Sequence, residues 1–279
     1  MIASFLLALR EGIEAALVVA VILSYLRKTD ARELYRPVYI GTGLGIAGSV
    51  AVGALFLLLS VEFEGIGEQV FEGATMLLAA MILTTMIFWM SKNSKAYSED
   101  LRAKVQKALS TKQSYGLAGL AFVSIIREGI ETVLFLGSAS FTATGAQTLI
   151  GGSLGLLAAV VIGVGIIKYS VRLNMRTFFN VTGVLLLFFA AGLVANGLGE
   201  FGEAGIVPPI VAHVWDTSWL VSGSSTLGNL LYTLFGYNDA PSLVQVLGYV
   251  GYWILAMLWI YFDRTAVVFR RVLASVRPE

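Results

Sequence analysis

Long apolar runs alternate with polar connections along the chain, and the runs have the length a bilayer requires. A helix crossing about 30 Å of hydrocarbon needs roughly 20 mostly apolar residues. Seven segments meet that condition, at 2–26, 38–60, 70–91, 115–138, 149–170, 178–199 and 247–267. The first and fourth break the pattern at their centres, with Arg10, Glu11 and Glu14 in one and Arg127, Glu128 and Glu131 in the other. No basic residue precedes the first apolar run and charges interrupt it, so it reads as a membrane helix, not a secretory signal. Two weaker patterns lie between the spans. Residues 98–109 predict a short amphipathic helix on the inner surface. Ser98 would cap it, Glu99 and Asp100 would fill its first turn, and Leu101, Val105, Ala108 and Leu109 would share a face. An apolar piece around 226–236 is too short to span and predicts an interfacial or re-entrant segment.

Composition agrees. The 279 residues are 57% hydrophobic and 13% charged, with a mean hydropathy of +0.81, against about 25% charged residues in soluble domains. The net charge of +1 gives no overall field for nucleic acid. The distribution of the basic residues carries more information. Apart from Arg10 and Arg127, every Lys and Arg falls in or beside alternate connections: 27–36, 92–112, 168–176 and the C-terminal tail from Arg264. The other connections, 61–69, 139–148 and 200–246, contain none, and hold Glu62, Glu64, Glu68, Glu200, Glu203, Asp216 and Asp239. The positive-inside rule then sets the N-terminus outside and the C-terminus inside, with an outer face that concentrates cations.

The chain also repeats itself. Arg10-Glu11-Gly12-Ile13-Glu14 in the first span recurs as Arg127-Glu128-Gly129-Ile130-Glu131 in the fourth. The second and fifth spans are both glycine-rich, with Gly41, Gly45 and Gly48 against Gly151, Gly152 and Gly155, and the third and sixth open with Phe71-Glu72 and Phe179-Asn180. A unit of three spans enters the second time from the opposite side. The expected fold is therefore an all-α polytopic membrane protein with seven transmembrane helices, a 3+3 inverted repeat plus one, whose substrate site lies at the midplane between repeats. Its parts are repeat A over 1–91, a cytoplasmic amphipathic linker over 92–114, repeat B over 115–199, an acidic outer loop over 200–246, and a seventh helix with a basic tail over 247–279.

The motif charges sit near mid-bilayer. One charge there costs roughly 2.5–3.5 kcal/mol, so six facing lipid would cost on the order of 15 kcal/mol or more. They must face the bundle interior. Arg10 and Glu14 stand four apart and can pair along the helix, while Glu11 and Glu14 stand three apart and can converge; the second motif does the same. Four carboxylates against two guanidinium groups leave two negative charges for a multivalent cation. Structural ion pairs and a proton relay are the other uses of such groups. With no cysteine and only His213 for an imidazole, any metal site must rest on hard oxygen ligands. Glycine within each motif allows close helix approach or a local irregularity.

Secondary candidates lie outward. Glu72 begins the third span and could pass a cation inward, or serve as a helix N-terminal carboxylate. Glu200 and Glu203 repeat the Glu-x-x-Glu spacing at the outer end of the sixth span, and His213 and Asp216 could share an ion. Met76, Met81, Met86 and Met90 follow gaps of five, five and four, which do not hold one helical face, so they read as packing. No nucleophile–base set or phosphate loop points to an enzyme.

Paired Arg-Glu-Gly-x-Glu motifs in the first and fourth of seven spans resemble the oxidase-dependent iron permease family, which includes fungal high-affinity ferric permeases and bacterial iron and lead transporters. Phe71-Glu72-Gly73 through Phe88-Trp89-Met90, Glu200-Phe201-Gly202-Glu203, Val214-Trp215-Asp216 and Leu234-Phe235-Gly236-Tyr237 extend the likeness over nearly the whole chain. Ile13 and Ile130 stand where leucine is commoner in the family. The resemblance implies iron uptake at a cytoplasmic membrane, with Glu11, Glu14, Glu128 and Glu131 contacting Fe(III) and Arg10 and Arg127 as their partners. It implies iron as substrate ion with no permanently bound cofactor, and a separate extracytoplasmic oxidase or iron-delivery protein as partner. A carrier of manganese or lead, or a metal sensor that moves nothing, are the competing expectations.

Overall fold

A computed structural model describes residues 1–110, 114–142, 145–169, 175–208, 211–223 and 225–276. Among them the chain is helical: α1 (Ile2–Lys28), α2 (Tyr35–Glu62), α3 (Ile66–Ser110), α4 (Ser114–Thr142), α5 (Gly145–Tyr169), α6 (Met175–Glu203), α7 (Thr226–Phe235) and α8 (Leu243–Val276), with one 3-10 turn at Arg32–Leu34. The boundaries follow local chemistry. Pro37 sits in the first turn of α2, where no backbone N–H is needed. The Ser225 hydroxyl accepts the Gly228 N–H at 2.9 Å to start α7, and Gly236 ends it with a left-handed φ of 67°. The piece expected around 226–236 is thus a ten-residue helix, and its end docks on α6: a Cβ on Gly192 would stand 2.8 Å from the Gly236 Cα.

One expectation changes, and another is met in part. The amphipathic segment 98–109 is not a separate helix. It continues the third span, because residues 91–110 contain neither glycine nor proline and nothing interrupts the hydrogen-bond ladder. At 1.5 Å per residue, α3 is about 65 Å long, twice the hydrocarbon thickness. Its extension is anchored by Val105, buried with Val18, Ile22 and Leu26 of α1 and Leu117 and Ala121 of α4. The other face residues, Leu101, Ala108 and Leu109, and the loop residues Lys112, Arg172, Pro209 and Arg277 lie outside the described side chains. The expectation met in part is the number of spans. Five described helices are long and apolar enough to cross a membrane: the segments at Arg32–Glu62, Ile66–Ser91, Gly145–Ile166, Thr177–Glu203 and Leu243–Phe262. The first and fourth helices do not join them, since each carries three ionised side chains at its centre.

The helices pair as α1 with α5, α2 with α4 and α3 with α6. Small residues set the closeness of each pair. A Cβ on Gly12 would stand 2.5 Å from the Ala159 Cβ, and one on Gly129 would overlap Ser49. Gly155 faces the Phe5 carbonyl as Gly45 faces that of Phe122, and Gly163 faces Ala16 as Gly53 faces Val133. In each case the α1–α5 contact has a counterpart in α4–α2 at the equivalent motif position. The third pair crosses at Gly73 and Gly197, where an added Cβ would lie 2.8 and 3.0 Å from the other helix's carbonyl oxygen. Two apolar clusters lie above and below the charged motifs. One contains Leu7, Met76, Leu83, Phe135, Phe189 and Leu193, and the other is the Val18–Val105–Leu117 group. On the periphery, Leu44, Val50, Leu57 and Leu58 of α2 and Leu255, Met257 and Trp259 of α8 are exposed, as lipid-facing residues should be.

The small-residue contacts make a direct comparison possible. Gly41→Ala drives a Cβ into the Ala118 backbone carbonyl, whereas Gly43→Ala meets nothing within 4 Å. Gly41→Ala is expected to destabilise the protein by about 1–3 kcal/mol, and Gly43→Ala to be neutral or stabilising by up to about 1 kcal/mol. SDS-driven unfolding in mixed micelles reads the order, and equal losses would contradict this packing.

Candidate metal site

Both motifs lie on uninterrupted α-helix. The motif glycines therefore serve close approach, Gly12 against α5 and Gly129 against α2, and not an irregular backbone. Regular helix buries Arg10, Glu11, Glu14 and Glu128, leaves Glu131 partly buried, and leaves Arg127 exposed. Arg10 lies 2.9 Å from Glu11 Oε1 through Nη1 and 3.2 Å from Glu14 Oε1 through Nη2. The first contact is a full hydrogen bond; the second is a close ion pair whose alignment falls short of one. Arg127 repeats the pattern, with Nη2 3.2 Å from Glu128 Oε1 and Nε 3.2 Å from Glu131 Oε1. Each arginine thus engages one oxygen of each carboxylate in its own motif.

The opposite oxygens are the chemically telling ones. Oε2 of Glu11, Glu128 and Glu131 is buried and has no hydrogen-bond partner among the described residues. Carboxylate oxygens of these three residues lie within 4.8 Å of one another. An ion held by bonds of about 2.1–2.6 Å separates opposed ligands by roughly 4–5 Å, so the spacing fits a hard cation. Three negative groups meeting in a dry environment without a counter-ion would be strongly unfavourable. The site draws on both motifs. It contains Glu11, Glu128 and Glu131, while Glu14, expected beside them, stands outside this set and against Arg10.

Identical motifs occupy unlike surroundings. The Arg10 side chain is 1% exposed and that of Arg127 49% exposed. Arg127 and Glu131 line a cavity of about 550 Å³ with Thr85, Met86 and Trp89 of α3 and Trp259 of α8. Arg10 borders a second cavity, of about 370 Å³, across α3, with Met90, Asn180 and Ile260. Met86 is the residue that the reading of the sequence missed. Its Sδ accepts a hydrogen bond from Arg10 Nη1 at 3.1 Å. The irregular methionine spacing gave no sign of this, because the contact depends on α1 and α3 running in parallel with Arg10 level with Met86.

The outer candidates form a separate group. Crossing of α3 and α6 at Gly73 and Gly197 brings Glu200 beside Gly73, where an added Cβ would lie 3.2 Å from the Glu200 Cβ. Glu72, Glu200 and Glu203 then stand within electrostatic reach of one another, and Glu68 joins them. Glu68 and Glu72 are four apart on α3, a spacing that could have marked the pair. His213 and Asp216 are exposed on the connection between α6 and α7. His213 Nδ1 lies 3.1 Å from the Ala240 carbonyl, and Asp216 accepts the Ser218 N–H at 2.9 Å. Hydrogen bonds from Ser218 hold the Asp216 carboxyl below the usual carboxylate range. Asp216 thus closes a local turn, His213 reaches a carbonyl 27 residues further on, and the two lie within electrostatic reach of each other on the outer connection.

Burial separates the two arginines energetically. Arg10→Leu leaves Glu11 and Glu14 facing each other without a counter-charge and is expected to cost about 3–5 kcal/mol. Arg127→Leu opens onto a cavity and should cost less than half as much. Unfolding in SDS mixed micelles measures both, and a larger loss for Arg127→Leu would contradict the assignment of the sealed pair to α1.

Comparison with known proteins places this geometry in a family. Residues 1–274 match the model described as the iron permease FTR1 family. The chain is 35% identical over 260 residues to the ferrous iron permease EfeU of Yersinia pestis, covering 92% of each chain. It is 36% identical over 260 residues to the ferrous iron permease EfeU of Escherichia coli O157:H7, covering 92% of this chain and 94% of the other. No solved structure matches. A match over nearly the full length, in both comparisons, leads to one conclusion: the chain belongs to the iron permease FTR1 family.

Proposed function

We propose that this permease imports iron as Fe(III) through the Glu11–Glu128–Glu131 cradle, with Arg10 and Arg127 as counter-charges and Glu14 as the tether of Arg10. One observation carries the reading: carboxylate oxygens of Glu11, Glu128 and Glu131 converge from both motifs, and each of these residues keeps a buried Oε2 without a hydrogen-bond partner among the described residues. Oxygen ligands suit a hard ion, and four carboxylates against two guanidinium groups leave two negative charges to offset most of the charge of the ion. Glu72, Glu200 and Glu203, with Glu68, form an outer loading cluster that raises the local cation concentration. His213 and Asp216 mark the rim of that outer face. A membrane potential negative inside drives the step, since each charge gains about 2.3 kcal/mol per 100 mV and a trivalent ion roughly three times that. Oxidation belongs to a separate extracytoplasmic oxidase or delivery protein; a chain with no cysteine and one histidine has little with which to build a copper site of its own.

The architecture proposed around the cradle is seven spans in a cytoplasmic membrane, α1–α6 forming a 3+3 inverted repeat with α8 added and the N-terminus outside. The matching of α1–α5 contacts by α4–α2 contacts supports the repeat. The distribution of Lys and Arg supports the orientation. Paired, inward-facing charges explain why α1 and α4 can cross although composition alone does not mark them. A ferrous substrate is the second reading, favoured by the names of the EfeU relatives.

Purified protein in liposomes discriminates these readings. Saturable uptake of labelled Fe(III) from a weak chelator is expected, reduced at least about tenfold in Glu11→Gln/Glu128→Gln, in line with the loss of charged ligands from a buried site. Uptake of Fe(II) alone would replace the ferric reading with the ferrous one. Uptake of Mn(II) or Pb(II) without iron would retain the cradle and change its cargo. Iron uptake untouched by the double substitution would remove the cradle. Orientation is tested separately, because the chain has no cysteine. An impermeant thiol reagent added to intact cells should label Ser218→Cys and leave Thr29→Cys unlabelled. The reverse pattern would invert the topology.

A further inference from the structure

We propose that Met86 is a positioning residue that keeps the Arg10 guanidinium on its own motif and off Glu128 and Glu131 of the iron cradle; the inference rests on the cradle reading above. Arg10 Nη1 carries two hydrogens. One goes to Glu11 Oε1 at 2.9 Å and the other to Met86 Sδ at 3.1 Å. Nη2 pairs with Glu14. The guanidinium also lies within electrostatic reach of Glu128 and Glu131, whose Oε2 atoms have no hydrogen-bond partner among the described residues. A tethered cation beside the carboxylate triad competes with a metal ion for it. If the second Nη1 hydrogen turned to Glu128 or Glu131, Arg10 would bridge the two motifs and occupy the cradle as an internal counter-ion.

A thioether suits the task of preventing this. It is a neutral, weak acceptor, so it engages the hydrogen in a dry setting without adding charge beside the triad. A hydrocarbon would leave a buried donor unsatisfied. A carboxylate would add a further negative group. Met86 is also in the right place. It is 8% exposed and lines the cavity shared by Arg127 and Glu131, so it stands between the sealed Arg10 and the open side of the site.

Reconstituted full-length protein tests the inference through the kinetics of iron uptake, with Fe(III) and Fe(II) each supplied alone and the better-transported form used. Met86→Leu keeps the bulk and removes the acceptor; Met86→Gln restores an acceptor on an unbranched chain. The expected result is a KM for iron raised about tenfold in Met86→Leu, with Vmax little changed and with Met86→Gln close to the unsubstituted protein. Met86→Ala carries the same expectation should Met86→Leu fail to reach the membrane. An unchanged KM in Met86→Leu overturns the inference. Equal impairment by Leu and Gln also overturns it, since that is the signature of packing. Glu128→Gln run in parallel keeps the two readings apart: an iron KM unchanged there removes the cradle, and this inference with it.

Discussion

Six ionised side chains in the middle of apolar helices constrain everything around them. Away from water such groups must satisfy one another, and each arginine does so with the two glutamates of its own helix, Arg10 in α1 and Arg127 in α4. Pairing inside each motif is not enough. Each arginine reaches one oxygen of its two carboxylates, and the remaining oxygens need something else positive. Bringing the two motifs together concentrates that need at one place.

The rest of the fold holds that arrangement. α1 and α4 approach closely only where their partners offer small residues, Ala159 opposite Gly12 and Ser49 opposite Gly129. These contacts fix the rotation of each motif helix, and so the direction of its glutamates. Above and below, the Leu7–Phe135–Leu83 and Val18–Leu117–Val105 clusters exclude water along the bundle axis. The region opens at the side, where Arg127 and Glu131 border the larger cavity beside Trp259. Identical motifs thus acquire different roles from their neighbours, one sealed and one facing an opening.

Much of this was readable in the residues, and what was not has a common cause. Apolar length located each long helix, because bilayer thickness dictates it. The repeated Arg-Glu-Gly-Ile-Glu located the charged centre, because such residues in hydrocarbon demand partners. Spacing along one helix could not tell which carboxylates from different helices meet: oxygens of Glu11, Glu128 and Glu131 gather most tightly, and Glu14 lies within electrostatic reach of Glu128 and Glu131. Met86 was hidden for the same reason: its role is set by a neighbouring helix. The extension of α3 was cut short by reading Ser98 as a cap, when the residues before it favour helix equally well. The nearness of Glu68 and Glu72 to Glu200 likewise depends on the Gly73–Gly197 crossing, which no single segment reveals.

A shared site makes a sharper demand than charge alone. Equilibrium binding of iron to the purified permease should give one ion bound by the buried carboxylates, and Glu11→Gln or Glu128→Gln alone should abolish it, since each motif supplies ligands to the same ion. Two buried ions, or one retained when either motif is altered, would mean that the motifs bind independently and that the cradle does not exist.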